Sequence, residues 1–585
     1  MTFNPQNPLV VQSDKTVLLE TQNDLYEEAR DVLARFAELE KSPEYLHTYR
    51  ITPLSLWNAA AAGLQADEVL RALDQFSKYD VPPNVRTDVV EQVSRYGRIR
   101  LTRHNGDLLI ASEDRALIAE IARHKTIVPL IKSQPDDRSL IADLIHRGRL
   151  KQALVAIGYP AQDEAGYTEG RALPFELRNP TSGNEPFSLR HYQREAGEVF
   201  YASGTASGGS GVIVLPCGAG KTVVGMAAMA ALQTATLILC PSTVAVRQWI
   251  SELLDKTTLT ADQIGEYSGL EKQVRPVTIC TYQIITYRPR KTGGFPHFKL
   301  FDQEEWGLII YDEVHLLPAP VFRVTAELQA RRRLGLTATL VREDGHEKDV
   351  FSLIGPKKYD VPWKVLEKQG WIATAECHEI RLNLPDDLRM EYALTDDTQK
   401  YRFAAENPVK LRVLDQLLAK HHEDNVLIIG QYLDQLEKIA AHVQAPIITG
   451  ETKVADREKL FAQFRAGEIT TLVVSKVANF AIDLPDANVA IQVSGTFGSR
   501  QEEAQRLGRI MRPKRNGLLA HFYSLVTRDT RDQDFAANRQ LFLTEQGYQY
   551  DIIYENEVAD FQPATLATEA LHVGPRHLPA PPPSA

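Results

Sequence analysis

From residue 211 onward one pattern repeats: four to six mostly apolar residues, a turn signal, then a stretch of helical periodicity. The first series is GVIVL (211–215), TLILC (236–240), VTICT (277–281), GLIIY (307–311) and RLGLT (333–337). The second is NVLIIG (425–430), APIIT (445–449), TLVVS (471–475), NVAIQ (488–492) and HFYSLV (521–526). A strand apolar on both faces must be covered on both faces, and parallel neighbours are joined only by crossovers. The rhythm therefore predicts parallel sheets between layers of helices. The two series share a rhythm but not a sequence, which predicts two α/β domains in tandem, at 185–360 and 366–550.

The remainder is different in kind. Residues 1–90 read as a mostly helical N-terminal domain, with helices expected over Asp24–Leu39, Leu54–Ala62 and Ala66–Tyr79, the last stopping before Pro82-Pro83. Residues 95–180 read as a small α+β module: β-like RIRLTRH, DLLIAS and TIVPLI, then a helix around Leu140–Ile157. Pro160–Pro186, rich in Gly, Pro and Asn, is expected to be a linker. Residues 551–585, ending LPAPPPSA, are expected to form a largely disordered C-terminal tail. The fold class is thus α/β, with two parallel-sheet domains preceded by these two smaller parts.

Composition narrows the function. At 43% hydrophobic the chain is no disordered polymer. Cys217, Cys240, Cys280 and Cys377 are too few and scattered for a disulfide framework or a four-thiolate zinc site. The opening MTFNPQNPLVVQ lacks the basic and apolar regions of a secretory signal, and no stretch stays apolar long enough for a membrane span, so a soluble, intracellular chain is expected. The net charge of −10 argues against a nucleic-acid-coating protein, but it is unevenly spread. Residues 1–90 hold 8 basic and 14 acidic side chains, and residues 551–585 hold 1 and 5. The span between them is neutral, and residues 500–515 carry 6 basic against 2 acidic side chains. That leaves room for weak, repeated contacts with a polyanion in the central domains and favours a packing or partner surface at the N-terminus.

The chemistry begins at LPCGAGKT (215–222), between an apolar strand and a helical run. Gly218 and Gly220 let backbone amides turn toward phosphates at a helix N-terminus, so Pro216, Cys217, Gly218, Ala219 and Gly220 form the expected ATP cradle. Lys221 reaches the β/γ-phosphates and Thr222 ligates Mg²⁺. The strict pattern wants Gly six residues before the Lys, where this chain has Leu215. About 90 residues on, GLIIYDEVH (307–315) ends a strand with Asp312, expected to hold Mg²⁺, and Glu313, expected to orient or deprotonate the attacking water. In EEAQRLGRIMRPKR (502–515), spacings of three align Arg506, Arg509 and Arg512 on one helical face of the second domain. Arginines supplied to a phosphate cleft accelerate transfer by about 10³–10⁵.

LPCGAGKT, DEVH, GLTAT and QRLGR together resemble a superfamily 2 helicase with RecA-like domains. Finer matches resemble the XPB-type helicases, in their bacterial form. They are FSLRHYQREA (187–196), GLTATLVREDG (335–345), DVPWKVLEKQGWIA (360–373), SKVANFAIDLPDANVAIQ (475–492), QRLGRIMRPK (505–514) and FLTEQGY (542–548). NPLVVQSDKTVLLE and YRITPLSLWNAAAAG extend the resemblance to the N-terminus. The run Arg342-Glu343-Asp344 resembles that family's characteristic triplet, implicated in strand separation. Archaeal and eukaryotic members carry Gly-Asp after Ser-Lys-Val, where this chain has Ala478-Asn479, with Asp483 as a nearby carboxylate.

The resemblance implies an ATP-dependent 3′→5′ DNA helicase acting in repair, with ATP and Mg²⁺ as cofactors. DNA is the expected partner, a separate nuclease or repair protein a candidate second one, and a cytoplasmic monomer without membrane contact the expected state. It implies that Gln193, with Arg190, reads the adenine. Gln505 and Arg506 would line the ATP site, and Arg509 and Arg512 would touch the γ-phosphate. DNA contact or coupling falls to Ser242, Thr243, Arg247, Thr281, Tyr282, Gln283, Thr337 and Thr339, with Arg342, Glu343 and Asp344 at the separating element. From the second domain come Gln431, Thr449, Gly450, Ser475, Lys476 and Asp483. Taken singly, PST (241–243) and TYQ (281–283) read equally well as polar caps after strands. The 95–180 module resembles the family's damage-recognition domain, or is an α+β spacer. A duplex translocase that hardly unwinds, an RNA helicase and a non-catalytic scaffold are the competing readings. His421-His422-Glu423-Asp424 reads as a solvated turn rather than a metal site.

Overall fold

The computed structural model describes residues 3–41, 45–205, 208–290, 295–328, 331–339, 347–475, 487–496, 499–510, 519–548 and 550–563. It divides into two compact units, residues 1–363 with 540–547, and residues 364–539 with 548–585.

The first unit opens on a four-stranded antiparallel sheet, in the order Leu9–Val11, Thr16–Glu20, Leu46–Arg50, Glu38–Lys41. This corrects the mostly helical reading of residues 1–90. The first helix is only Tyr26–Leu33. Glu-Leu-Glu-Lys then pairs as a strand because Leu39 opposite Tyr49 buries both side chains, which local periodicity cannot reveal. Helices Pro53–Ala61 and Ala66–Phe76 form as expected. Pro82-Pro83, read as a stop, also starts a helix, Pro83–Arg95. A proline in the first turn lacks only an N–H that has no helical partner anyway.

Next comes a five-stranded sheet in the order Ile131–Asp136, Ser139–Ala142, Asp107–Ala111, Arg100–His104, Gln162–Asp163, with helices Arg115–Ile121 and Arg147–Ala156. Ser139–Ala142, expected inside a helix, pairs instead with Asp107–Ala111. The expected linker is also ordered. Gln162–Asp163 pairs with Arg100-Leu101, Leu173 and Phe175 are buried, and bridges join Ala172 to Thr234 and Leu177 to Thr257.

Each unit holds a seven-stranded sheet in which every neighbour is parallel. The first runs Ile264–Tyr267, Val277–Thr281, Thr236–Cys240, Leu308–Asp312, Arg332–Thr337, Ser210–Val214, Lys357–Asp360. The second runs Ile447–Ile448, Thr471–Ser475, Val426–Gly430, Val489–Gln492, Ala520–Thr527, Ala375–Leu382, Tyr550–Tyr554. Numbered along the chain within each domain, both orders read 3-4-2-5-6-1-7. The shared rhythm of the two series is thus a shared RecA-like topology. The seventh strand of the second sheet and the buried Val558 come from the segment expected to be tail; the rest of that tail, residues 564–585, lies outside the described residues. Among the described residues no helix is long and apolar enough to cross a membrane.

Candidate nucleotide site and its coupling residues

Parallel strands put all their carboxyl ends on one edge, where connecting loops leave a crevice for ligands. The strand Ser210–Val214 reaches that edge and continues through Leu215, whose N–H donates to Thr337 O at 3.0 Å. Leu215 is still strand-paired, so no glycine is needed there. The turn follows, with left-handed backbone at Gly218 (φ 80°) and Gly220 (φ 81°). A Cβ on Gly220 would also lie 2.5 Å from Gln193 Nε2. Behind the loop, the Gln193 amide and the Tyr192 hydroxyl donate to Ala219 O at 2.9 and 2.8 Å. Gln193 Oε1 accepts from Arg190 N–H, and Arg190 Nη1 donates to the Tyr192 hydroxyl at 3.0 Å. Both ends of the buried Gln193 amide are therefore engaged by the chain itself.

Helix Lys221–Leu232 starts at the end of this turn. Lys221 Nζ lies 3.3 Å from Glu313 Oε1, at the end of strand Leu308–Asp312. Burial works against the ammonium, but Glu313, then Cys217 and Asp312, more than offset it and raise the Lys221 pKa. Burial and the Glu313 charge push Asp312 up, although its Oδ2 accepts from Trp249 Nε1 at 3.0 Å. Glu313 moves the other way: burial opposes its charge, but Lys221 and His315 outweigh it. The pair is thus split into a carboxylate held ionised and a neighbour that is harder to ionise. Glu313 also has a left-handed backbone (φ 49°), a strain of about 1–3 kcal/mol for a residue with a side chain. Its Oε2 is buried without a hydrogen-bond partner among the described residues. The glycine turn at a helix N-terminus, a lysine, the Thr222 hydroxyl and the Asp312 and Glu313 carboxylates form a donor set suited to a magnesium nucleotide and a water.

From this pair a relay leads away. His315 Nδ1 is 2.7 Å from Thr337 Oγ1 and 3.5 Å from Glu313 Oε2. Thr337 Oγ1 spends its one proton on Thr339 O (2.5 Å), so Nδ1 carries the proton in the histidine contact. Thr339 N–H also donates to Thr337 Oγ1, and Thr339 Oγ1 is buried with no hydrogen-bond partner among the described residues. His315 and Trp249 were not singled out from sequence. His315 is the last letter of DEVH and was readable there; only the tertiary fold brings Trp249 to Asp312.

The same edge gathers the expected DNA residues of this domain. Ser242 Oγ accepts from Ala245 N–H and caps helix Thr243–Lys256, and Thr281 Oγ1 accepts from Ile284 N–H, so both are caps as the alternative had it. Arg247 and Gln283 are exposed, with Gln283 Nε2 donating to Pro241 O. Tyr282 corrects the expectation. It is 3% exposed and its hydroxyl donates to Asp312 O at 3.0 Å, so it supports the carboxylate strand from inside rather than facing DNA. Arg342, Glu343 and Asp344 lie outside the described residues.

In the second unit, Gln431, Thr449-Gly450 and Ser475 follow or end three neighbouring strands at their carboxyl edge. Gln431 Oε1, Ser475 Oγ and Gln505 Oε1 are buried without hydrogen-bond partners among the described residues. Thr449 Oγ1 accepts from Glu451 N–H. Arg506 is a second correction: 1% exposed, it donates to Gln492 Oε1 and to Ser494 O within its own domain. It braces its own sheet from inside; helical spacing aligned it with Arg509 and Arg512 but could not tell inside from outside. The Arg509 side chain, Arg512, Lys476 and Asp483 lie outside the described residues.

Comparison with known families gives three matches. Residues 366–571 match the ERCC3/RAD25/XPB C-terminal helicase model and residues 186–342 the type III restriction enzyme res subunit. Residues 9–134 match a helicase conserved C-terminal domain, although here they form antiparallel strands and helices rather than a parallel sheet. The chain is 56% identical over 546 residues to the DNA 3′-5′ helicase XPB of Mycobacterium tuberculosis, covering 93% of this chain and 97% of that one. It is 54% identical over 552 residues to the enzyme of that name from Kineococcus radiotolerans, covering 94% and 97%. A general transcription and DNA repair factor IIH helicase/translocase subunit XPB, from Enterocytozoon bieneusi, is 33% identical over 93% of this chain and 92% of that one.

Proposed function

The chain belongs to the XPB family of superfamily 2 DNA helicases, and on that footing we propose that it is an ATP-dependent 3′→5′ DNA helicase acting in repair. The observation that carries the reading is Lys221 against Glu313, with Asp312 beside them, at the carboxyl edge of a parallel sheet. When bound, a magnesium nucleotide supplies the phosphoryl group and the charge that Mg²⁺ neutralises. Pro216 to Gly220 would cradle its phosphates, Lys221 would hold the β/γ-phosphates, and Thr222 and Asp312 would hold the metal. Glu313 would orient the water through its carboxylate, which Lys221 and His315 hold ionised. Arg509 and Arg512 are the residues proposed to act on the γ-phosphate. Hydroxyls and amides at strand ends suit a DNA backbone gripped and released at every step.

Lys221→Ala is expected to lower DNA-stimulated ATPase by about 10²–10³-fold, and Glu313→Gln by about 10²–10⁴-fold. Turnover near the unaltered rate in either variant overturns the site. Arg342→Ala is expected to lose strand displacement while keeping most of its hydrolysis; displacement unchanged in that variant defeats the strand-separating role.

One observation favours a second reading, a duplex translocase. The Enterocytozoon relative carries helicase/translocase in its name. Partial-duplex displacement measured beside triplex displacement separates the two, since a translocase clears the triplex and leaves the duplex paired.

A further inference from the structure

The second parallel-sheet domain holds a cluster that the nucleotide chemistry does not use. On strand Ala375–Leu382, Glu376 and His378 are two residues apart and so share one face of the sheet. Register pairs Glu376 with His521 and His378 with Tyr523 on the next strand, and His378 with Asp551 on the other side. The cluster sits toward the amino ends of these strands, the opposite edge from Gln431, Thr449 and Ser475.

His378 is 2% exposed, and neither of its ring nitrogens has a hydrogen-bond partner among the described residues. Its nearest carboxylate oxygens are Glu376 Oε2, 3.7 Å from Nε2, and Asp551 Oδ2, 3.8 Å from Nδ1. His521 Nδ1 lies 3.5 Å from the same Glu376 oxygen, and one ligand atom from each of Glu376, His378 and His521 lies within 4.8 Å of the others. Ligands at about 2.0–2.1 Å from a tetrahedral ion stand about 3.4 Å apart, close to the two spacings through Glu376. We propose that Glu376, His378 and His521 form a binding site for a divalent transition-metal ion of the Zn²⁺ type, with the fourth position open to water.

Further features fit. His378 and His521 stand on adjacent strands with stacked rings 6.3 Å apart, so both imidazoles face the Glu376 carboxylate from one side of the sheet. Asp551 faces the other nitrogen, the position of the outer carboxylate that orients a metal-bound histidine. Glu376 and Asp551 are partly and largely exposed, which opens a path for the ion. Two imidazoles with one carboxylate suit zinc, cobalt or nickel, and not the Mg²⁺ that accompanies ATP. His421 belongs to the packing around the site: its Nδ1 and Nε2 lie 2.6 Å from Asp424 Oδ2 and 2.8 Å from the Tyr523 hydroxyl.

The test uses the full, untagged chain, stripped of metal and titrated with Co²⁺ alone. The expected result is one saturable visible absorption band of tetrahedral Co²⁺, displaced by Zn²⁺. His378→Phe, which keeps a ring beside Tyr523 and Phe561, is expected to abolish it; Glu376→Gln, at a partly exposed position, is expected to weaken it by about 10–100-fold or more. Both variants are expected to keep the Mg²⁺-supported ATPase. No saturable band in the unaltered chain overturns the site, as does a band of equal affinity in Glu376→Gln, which would place the ion elsewhere, for example at Cys217.

Discussion

At the scale of single residues, the nucleotide edge is governed by how few options each buried polar atom has. His315 is 4% exposed and its Nδ1 proton is committed to Thr337, whose own proton is committed to Thr339 O. A change on either side is therefore expected to alter the other, because the two hydrogen bonds share Thr337 Oγ1. His315→Ala is expected to leave basal ATPase within a few-fold of the unaltered rate and to cut its stimulation by DNA about tenfold, the size of an ordinary coupling free energy. Equal stimulation in that variant would remove His315 from the coupling path. That Lys221, Glu313 and Asp312 meet was readable from spacing alone, because a glycine turn before a helix and an acid pair ending a parallel strand share one edge of the sheet. Tyr282 and Arg506 were misread for the opposite reason: a tyrosine or arginine near a site has the right chemistry whether it faces the ligand or the core.

At the scale of elements, the helix behind the phosphate loop is set by contact with the next one. Gly225 faces Trp249, and a Cβ there would lie 2.5 Å from Trp249 Cη2. Trp249 is 1% exposed and tied to Asp312 through its indole N–H, so it has little room to yield. Gly225→Ala is expected to cost about 1–3 kcal/mol, read as a lower denaturant midpoint, and to reduce ATPase because Trp249 drags Asp312 with it. A stable variant with full turnover would show that the contact relaxes without reaching the site. Strands in the two parallel sheets were legible because an apolar run between turn signals has few other uses. The antiparallel strands Glu38–Lys41 and Ser139–Ala142 were not, since each is specified by its partner strand rather than by its own period.

At the scale of the whole molecule, the first unit is knotted at a buried charge cluster. Asp163, from the segment expected to be a linker, lies 2.7 Å from Arg147 Nη2 and 3.0 Å from Lys151 Nζ. Burial would raise its pKa, but Lys151 and Arg147 outweigh burial and hold it well below the usual carboxylate range. Arg147 and Arg333 both lie over the Tyr167 ring, which joins the module to the first parallel sheet. Asp163→Asn removes the carboxylate charge that pairs with Arg147 and Lys151 and is expected to cost about 3–5 kcal/mol. A melting temperature unchanged in that variant would show that the cations find other partners. The carboxylate's contribution is full above the ordinary Asp pKa and is lost as pH falls through the depressed one, so acid should loosen this unit. By itself the sequence determined the two parallel-sheet domains and the strand ends that carry the glycine turn, Lys221 and the Asp312-Glu313 pair, because strands covered on both faces restrict residue type at short range. Only the tertiary structure decided that the linker is part of the core, that Arg506 turns inward, and that Glu376, His378 and His521 meet. Those outcomes depend on residues distant in the chain, and no local pattern encodes which of them become neighbours.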